Sequence, residues 1–455
     1  MLIGADWTEW KDQKYVSFQV DLLVQDIIEK IHKNIYESGK NLNLNLFEAD
    51  LLYRWPLYIA VNTFIERLYR VSYSIYKGEN QYINKESFSF NYYQNTLQSV
   101  QTCYFDNKLN DEIIHSIFDI LLESKKTKSY STNSLPKGKF ENNNKKLFSI
   151  KNSIKEKIIK LEESYIKCTK PNIVGERSNW LRQIYTFGHS IDFYRHGFHE
   201  NNLNIDSLIR ATFKSLINES FISIESKFQL PLNASQVKKL GILFGEFVDH
   251  ILPISIVEGL SARFDYYNKM INNWDIKQVH SFTGYFYNDN FKIFSILSKR
   301  KGAKLIGHSH GIDNYSFYYK NINELMFLDY YTTYGKNHVN LYDNYQNENK
   351  IVRTKFISIG SIDFYKIRKW SKKKVYENNI VLLYASSWLG PMTTTEEISP
   401  EKCMDHRINV ISLLDLILTK LPGLKILYKP FSGLSSFPDP IRTECDDWFQ
   451  KGRIE

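Results

Sequence analysis

The stretch Lys304-Leu305-Ile306-Gly307-His308-Ser309-His310-Gly311 decides the fold, because an apolar run passes directly into a turn that carries two histidines. A short apolar run that ends in glycine and polar residues is typical of a strand buried in a parallel sheet. The pattern predicts a strand over 303–307 whose carboxyl end presents His308 and His310. Gly311 would allow a sharp turn after them.

Other short runs share this composition, being mostly apolar, and several are rich in β-branched residues or tyrosine. They cover residues 279–287, 328–333, 355–359, 380–385 and 424–428. Helical spacing of apolar residues occurs at 16–38, 49–76, 110–123, 149–168, 205–226 and 236–272, the last interrupted near Pro253. Strands that alternate with helices predict doubly wound α/β lobes with parallel sheets, which bind ligands at the carboxyl ends of their strands.

The length of 455 residues favours two domains, because it exceeds what one ordinary hydrophobic core accommodates. We place a first lobe, heavily decorated with helices, at residues 1–365 and the start of a second lobe at 366–455. The chain stops at 453–455, where the pattern of a further strand begins. The sequence therefore predicts that the second lobe is incomplete.

The net charge of +9 is concentrated in one segment. Residues 124–160 contain eleven lysines and two glutamates, a net charge of +9, so the rest of the chain is neutral. Interleaved Ser, Thr and Asn residues are typical of a solvated insertion, with contact to an anionic lipid surface or polyanionic acceptor as the alternative. Because no nucleic-acid-binding module accompanies the lysines, we expect no nucleic-acid partner.

The cysteines and the hydropathy pattern exclude other classes of protein. The four cysteines show no CxxC spacing, which argues against a disulfide framework and a structural zinc site. No apolar stretch approaches the roughly 18–20 residues that span a bilayer, and no signal peptide opens the chain. We expect a cytoplasmic protein, either soluble or peripheral at the inner face of the membrane.

Candidate site residues follow the predicted strands. Imidazole donates and accepts protons near neutral pH, so His308 and His310 suit phosphate or sugar chemistry, unless they are incidental residues of an ordinary loop. Two histidines are too few for a zinc site. Asp289 would lie at the same sheet edge, although either it or Asn288 could be no more than a helix N-cap.

Further candidates come from a helical stretch and from the second lobe. Glu258 lies in an apolar helical stretch and could project into a cleft or lie on a helix surface. Ser386 and Ser387 follow a strand, where hydroxyls and backbone amides suit phosphate binding. Lys429 ends the next strand and either offers a cation to the cleft or is an ordinary surface lysine.

Several segments together resemble a family of bacterial surface-carbohydrate transferases that is distantly akin to the retaining Kdo transferases, which use CMP-Kdo. The segments are LIGADW (2–7), RWPLY (54–58) with ERLY (66–69), PISIVEG (253–259), GAKL (302–305) leading to His310-Gly311 and Tyr315, DYYTTYG (329–335) and IGS (359–361). Ser309 stands where the family has Gln, and Ile312 where it has a second Gly. The resemblance covers about residues 1–430.

This resemblance implies a GT-B glycosyltransferase of cell-surface polysaccharide biosynthesis, with two Rossmann-like lobes and a nucleotide sugar bound between them. A CMP-Kdo-like donor is favoured, the acceptor would be a carbohydrate or lipid-linked, and neither a cofactor nor an obligatory metal is needed. The resemblance implies Asp289 as the reacting carboxylate, Glu258 as the acid/base and His310 as the phosphate or proton partner. Gly311 and Tyr334 join His308 as predicted substrate contacts.

Two alternatives remain open. A CDP-glycerol-type polymer phosphotransferase also combines two nucleotide-fold lobes with a His-Gly turn, but it would show a second histidine and several basic residues late in the second lobe. The other alternative is a non-catalytic scaffold that binds a partner in surface-polymer assembly, which would bind no nucleotide.

Overall fold

The computed structural model describes residues 10–37, 42–76, 92–105, 107–122, 172–176, 189–191, 193, 198, 205–309, 325–349, 354–360, 381–385, 400–421, 423–429 and 445–454. Contacts divide the chain into two compact units, of which the first consists mainly of Lys14–Gly360 and the second mainly of Ser361–Glu455, together with Ala5–Gln13. The LIGADW segment at 2–7, the lysine-rich segment 124–160 and the predicted helix at 149–168 lie outside the described residues. That the second unit is the start of a nucleotide-binding lobe stays a prediction.

Helices make up most of the first unit, and seven of those described precede strand Gln278–Ser281. They are α1 (Trp10–Ile31, continued by a π-helical turn at His32–Tyr36), α2 (Leu46–Tyr76), α3 (Thr96–Phe105), α4 (Asn107–Leu121), α5 (Ser207–Ile224, followed by a 3₁₀ turn at Glu225–Phe228), α6 (Ala234–Ile251) and α7 (Leu260–Ile271). These bounds confirm the predicted helices in the described part of the chain, including the interruption near Pro253 between α6 and α7.

Helix α2 lies at the centre of this helical layer. Nearly all of its residues between Glu48 and Tyr69 are buried, as expected of a helix that is apolar on all sides and lies within a core. Its buried Arg54 pairs with Asp50 one turn earlier at 2.6 Å and with Asp21 of α1 at 2.7 Å. A charged side chain is thus accommodated in the core because two carboxylates surround it.

The first unit also contains a parallel sheet. Its strands are β1 (Ile173–Glu176), β2 (His189–Ile191), β3 (Gln278–Ser281), β4 (Lys304–His308), β5 (Tyr330–Thr333) and β6 (Lys355–Ser358), with α8 (Gly284–Tyr287) and α9 (Asp289–Arg300) between β3 and β4, and α10 (Lys336–Asn349) between β5 and β6. Among the described strands of this sheet the order is β2-β1-β3-β4-β5-β6, all parallel. The order reverses between β1 and β3, whose carboxyl ends therefore flank a topological switch point.

The structure corrects the predicted strand at 279–287. The strand ends at Ser281, whose hydroxyl accepts a hydrogen bond from the Gly284 backbone N–H at 2.6 Å and so closes a turn into α8. The aromatic run after Gly284 suggested a strand, but Tyr285 instead turns back, and its hydroxyl donates to the Val279 carbonyl at 3.0 Å. Strands β1 and β2 were not predicted, because each is too short to show an apolar run.

The second unit contains β7 (Val381–Ala385), α11 (Pro400–Lys420), β8 (Lys425–Lys429) and α12 (Asp446–Gln450). Strands β7 and β8 pair in parallel, as predicted from their apolar runs, and Ile454 forms a parallel bridge with Ile426. Its core consists of Leu414, Leu418, Leu424, Ile426, Cys445 and Ile454. Two parallel strands joined through a helix form a βαβ unit.

We expect Gly307→Ala to destabilise the sheet, because the added carbon would lie 2.3 Å from Leu328 Cδ1 and 2.9 Å from Tyr331 Cδ2. Overpacking of this kind costs about 1–3 kcal/mol. Gly335→Ala is the matched control, since its added carbon would meet nothing within 4 Å. Urea unfolding measures both variants, and equal midpoints would contradict the close packing at Gly307.

Candidate functional site

The turn at residues 252–259, which joins α6 to α7, is buried along almost its whole length. Its backbone is tied to the segment before α3, because Ile254 N–H donates to the Tyr93 carbonyl at 2.8 Å. Within the turn, Gly259 N–H donates to the Ile254 carbonyl at 2.9 Å. From α2, the Tyr53 hydroxyl donates to the Ile256 carbonyl at 2.7 Å. Groups from several elements therefore hold this 252–259 turn in one position.

Glu258 is clamped by Arg210 of α5. The guanidinium donates from Nε to Oε1 at 2.8 Å and from Nη2 to Oε2 at 2.7 Å, and both side chains are buried. The remaining nitrogen, Nη1, donates to the carbonyls of Asp249 and Leu252 at 2.8 and 2.9 Å. A bidentate pair of this kind has fixed geometry and fills both carboxylate oxygens. Glu258 is therefore neither a surface residue nor an acid that projects into an open cleft, as the sequence had suggested.

Asp249 shares this cluster with Arg210. Its carboxylate lies 3.4 Å from Arg210 Nη1 and accepts from the Tyr92 hydroxyl at 3.1 Å, while the Tyr92 ring lies 4.5 Å from the guanidinium. Burial raises the pKa of Asp249 to about 6, against the lowering effect of Arg210. Arg210 thus serves two carboxylates, and Lys214, 3.8 Å from Asp249 Oδ2, adds a second cation on the Asp249 side.

Asp289 is the first residue of α9, and the adjoining Asn288 is its N-cap, accepting from Phe291 N–H at 3.1 Å. The Asp289 carboxylate is buried and accepts from the backbone N–H and hydroxyl of Thr96 at 2.9 and 2.5 Å. It also accepts from the Ser255 hydroxyl at 2.5 Å and lies 3.5 Å from Lys292 Nζ. Because Thr96 begins α3, Asp289 joins α9 to α3 and to the 252–259 turn.

The expected convergence of Asp289, Glu258 and His310 at an open sheet edge is therefore not what the described residues show. Both acids border the 252–259 turn, but each faces protein donors from other elements. Desolvation explains this arrangement, since a buried carboxylate requires hydrogen-bond donors or a cation around it. His310 lies outside the described residues, and its predicted role stays a prediction.

A chain of hydrogen bonds crosses the sheet at the candidate site. His280 Nε2 lies 3.0 Å from Gln278 Oε1, His280 Nδ1 lies 3.0 Å from His308 Nε2, and His308 Nδ1 lies 2.7 Å from Thr332 Oγ1. The two rings stack, with centroids 5.3 Å apart. Burial lowers the pKa of His308 to about 4 and, together with the neighbouring His308, that of His280 to about 3, so both are neutral at pH 7.

His308 lies at the carboxyl end of β4, as the sequence predicted. Both of its ring nitrogens have partners within the protein, so in this arrangement it offers neither nitrogen to a ligand. Tyr334 directly follows β5 and is half-buried at the same edge. Gly311, Ser386 and Ser387 lie outside the described residues, and of Lys429 only the backbone, at the end of β8, is described.

Sequence reasoning missed Arg210, Asp249, His280 and Thr332. Thr332 lies in the DYYTTYG segment, which gave no role to it individually, while the other three belong to no quoted segment and were distinguished only by their polar character inside an apolar pattern. Polar residues at such positions signal a buried network, but the pattern does not name their partners.

The described residues contain no group of three His, Cys, Asp or Glu side chains arranged to hold a metal ion. Within the same residues, no helix is both long enough and apolar enough to cross a membrane.

A parallel sheet with helical connections and a switch in strand order is a Rossmann-like α/β fold, in which ligands bind beyond the carboxyl ends of the strands. The chain belongs to the family described as LIC12162 family transferase, which matches residues 2–432. The protein is therefore a transferase. No curated protein and no solved structure matches the chain.

We expect Arg210→Gln to destabilise the first unit by about 3–5 kcal/mol, because it leaves Glu258 buried without its cation and leaves Asp249 with only the more distant Lys214, 3.8 Å away. The matched control is Lys277→Gln, which breaks a salt bridge to Asp275 whose side chains are 64% and 73% exposed. Exposed pairs contribute about 1 kcal/mol or less. Urea unfolding compares the variants, and a small loss in Arg210→Gln would contradict the clamp.

Stability should fall as the pH decreases from about 6.5 towards 4. Burial lowers the pKa values of His250 and His308 to about 4 and that of His280 to about 3, while the unfolded chain takes up these protons near pH 6.5. Asp249 acts oppositely: its folded pKa of about 6 exceeds the ordinary 3.8, so its contribution is lost as the pH rises from about 4 to 6. Burial also raises the pKa values of Asp21, Asp50 and Glu225, which act in the same direction as Asp249. We expect the three histidines to outweigh these carboxyls.

Urea midpoints at pH 7.5, 6.5, 5.5 and 4.5 test this expectation in the wild type and in His308→Gln. The variant lacks one of the protonation sites, so its midpoint should depend less steeply on pH between 6.5 and 4.5. Identical slopes would show that His308 is not held neutral by the fold.

Proposed function

We propose that the protein is a glycosyltransferase of cell-surface polysaccharide biosynthesis, which moves a sugar from a nucleotide donor to a carbohydrate or lipid-linked acceptor. Group transfer itself follows from the family. The observation that supports a nucleotide donor is the reversal of strand order between β1 and β3, because open parallel sheets bind nucleotides in the crevice beyond such a point.

The support for a sugar as the transferred group is the resemblance to the retaining Kdo transferases, which also favours a CMP-Kdo-like donor. In the proposed reaction the bond between the anomeric carbon and the donor phosphate oxygen breaks, and a bond from the acceptor oxygen forms. The acceptor proton must leave, and the nucleotide departs with its negative charge. A histidine beside the phosphate supplies a hydrogen bond or a proton to that charge.

We assign the donor phosphate to the segment that directly follows β4, where His310 and Gly311 lie in the sequence, and we place Tyr334 beside it. Ser386, Ser387 and Lys429 are proposed as further nucleotide contacts. Asp289 and Glu258 are assigned to holding the 252–259 turn, since both oxygens of each carboxylate already accept hydrogen bonds. A nucleophilic role for Asp289 would require its bonds to Thr96 and Ser255 to open on donor binding.

Calorimetry on the full chain with CMP, CDP, UDP and GDP tests the donor class, and chromatography of products formed from the corresponding sugar nucleotides tests transfer. We expect a cytidine nucleotide to bind and a sugar to be transferred. Transfer of glycerol phosphate from CDP-glycerol would favour a polymer phosphotransferase instead. If none of the four nucleotides binds, the glycosyltransferase proposal fails and a scaffold role is favoured.

Asp289→Asn separates a reacting carboxylate from a structural one. If Asp289 is an anchor, the Asp289→Asn variant should have a lower melting temperature than the wild type. Its transfer rate should fall by no more than about tenfold, equivalent to about 1.4 kcal/mol. Loss of a reacting carboxylate would instead reduce transfer on the order of 10⁴-fold without a comparable loss of stability. Ser255→Ala is the matched variant, because it removes one donor to Asp289 and should reproduce the loss of stability.

A further inference from the structure

The four side chains of Gln278, His280, His308 and Thr332 form one hydrogen-bond chain on a single face of the sheet. In the parallel register, His280 lies beside Ile306, and His308, two residues further along β4, lies beside Thr332 of β5. The chain therefore runs obliquely from Gln278, which is half-buried, to Thr332 near the carboxyl end of β5. Its three distances are 3.0, 3.0 and 2.7 Å.

The direction of every bond in this chain is set by its neighbours. A neutral imidazole has one N–H donor and one acceptor nitrogen, so a ring that accepts on one side must donate on the other. Burial keeps both rings neutral by lowering the pKa values of His280 and His308. Only two orientations of the whole chain are consequently possible, and which one holds depends on the Gln278 amide.

In the first orientation the Gln278 carbonyl oxygen accepts from His280 Nε2–H. His308 Nε2–H then donates to His280 Nδ1, and the Thr332 hydroxyl donates to His308 Nδ1. The proton of Thr332 is directed into the sheet, so its oxygen presents only lone pairs towards the carboxyl edge.

In the second orientation the Gln278 amide is rotated and donates to His280 Nε2. His280 Nδ1–H donates to His308 Nε2, His308 Nδ1–H donates to Thr332 Oγ1, and the Thr332 hydroxyl directs its proton towards the edge. Conversion from the first orientation releases one proton to water at the Gln278 end and takes one up at Thr332, while two protons shift within the chain. The net charge is unchanged.

The outer end of the chain lies beside Ser309, the last described residue before the segment assigned to the donor phosphate. Ser309 N–H donates to the Thr332 carbonyl at 2.9 Å, and Ser309 directly precedes His310 and Gly311. Phosphate oxygens at the edge accept hydrogen bonds. The Thr332 hydroxyl can donate to them in the second orientation, where its proton points outwards, but not in the first.

We propose that Thr332 is a phosphate-contacting residue of the donor site and that Gln278 and His280 are positioning residues that set the direction of its hydroxyl. Binding of a phosphate then selects the second orientation of the chain. This inference rests on the proposed function, because it assumes that the carboxyl edge receives the phosphate of a nucleotide.

Three single variants test the proposal in the full chain at pH 8.5, with CMP as the probe and cytidine as the phosphate-free control. Thr332→Val keeps the shape but removes the hydroxyl, and we expect CMP affinity to fall about tenfold or more, as for a hydrogen bond to a charged group. Thr332→Ser should restore most of that loss. Cytidine affinity should stay the same in every variant.

Gln278→Glu tests the positioning role, because a carboxylate only accepts and therefore holds the chain in the first orientation. CMP affinity should fall to about the level of Thr332→Val, and the double variant should lose little more, since both changes remove the same donor. Gln278→Met, which neither donates nor accepts strongly, should recover most of the affinity lost in Gln278→Glu.

Nitrogen-15 NMR reports which ring nitrogen of each histidine carries the proton. If Gln278 and His280 had only a structural role, CMP binding would not change these tautomers. CMP should shift the proton of His280 and of His308 from Nε2 to Nδ1. Wild-type CMP affinity in Thr332→Val, or unchanged tautomers on CMP binding, would overturn the inference while leaving the proposed function intact. If the wild type binds no nucleotide, the proposed function fails, and inorganic phosphate replaces CMP in the NMR experiment; unchanged tautomers there would overturn the inference as well.

Discussion

The buried pair between Arg210 and Glu258 is the interaction on which the arrangement around the candidate site depends. The guanidinium clamps Glu258, lies beside Asp249 and binds two carbonyl groups at the end of α6, so it fixes where the 252–259 turn begins and ends. The turn in turn supplies Ser255 to Asp289, and Asp289 joins α9 to α3. The helical layer and the helix after β3 are thus connected through a few desolvated charges, which are costly to leave unpaired.

Polar groups in the sheet are accommodated differently. His280 and His308 are buried, and the fold holds them neutral and links them by hydrogen bonds from Gln278 to Thr332. Charge pairing around the turn gives a rigid frame, because each partner fixes the other. Neutral hydrogen-bonded rings instead allow two orientations of equal charge. The proposed binding of an anionic donor at the strand ends would use both properties, a fixed edge and hydrogen-bond donors that can turn towards the ligand.

Much of the fold followed from periodicity. The apolar runs of β4, β5, β6, β7 and β8 and the amphipathic helices α2, α5 and α6 all lie where their patterns indicated, because burial on one or both faces leaves a direct mark in the sequence. The prediction that the strand continues to residue 287 was wrong, since the aromatic residues after Gly284 pack equally well in a strand and in a short buried helix. Strands β1 and β2 are set by pairing with β3, which a run of three or four residues does not reveal.

The sequence by itself determined the parallel α/β class and the place of His308 at the end of its strand, and it limited the helix N-cap to Asn288 or Asp289, since each depends on residues close together in the chain. The tertiary structure alone decided the partners of Glu258 and Asp289 and the link between the two histidine rings. Thr96 and Asp289 are 193 residues apart, and Arg210 and Glu258 are 48 apart. A buried charge is costly unless packing places a hydrogen-bond donor or an opposite charge beside it. That partner can come from any part of the chain, so sequence spacing does not predict it.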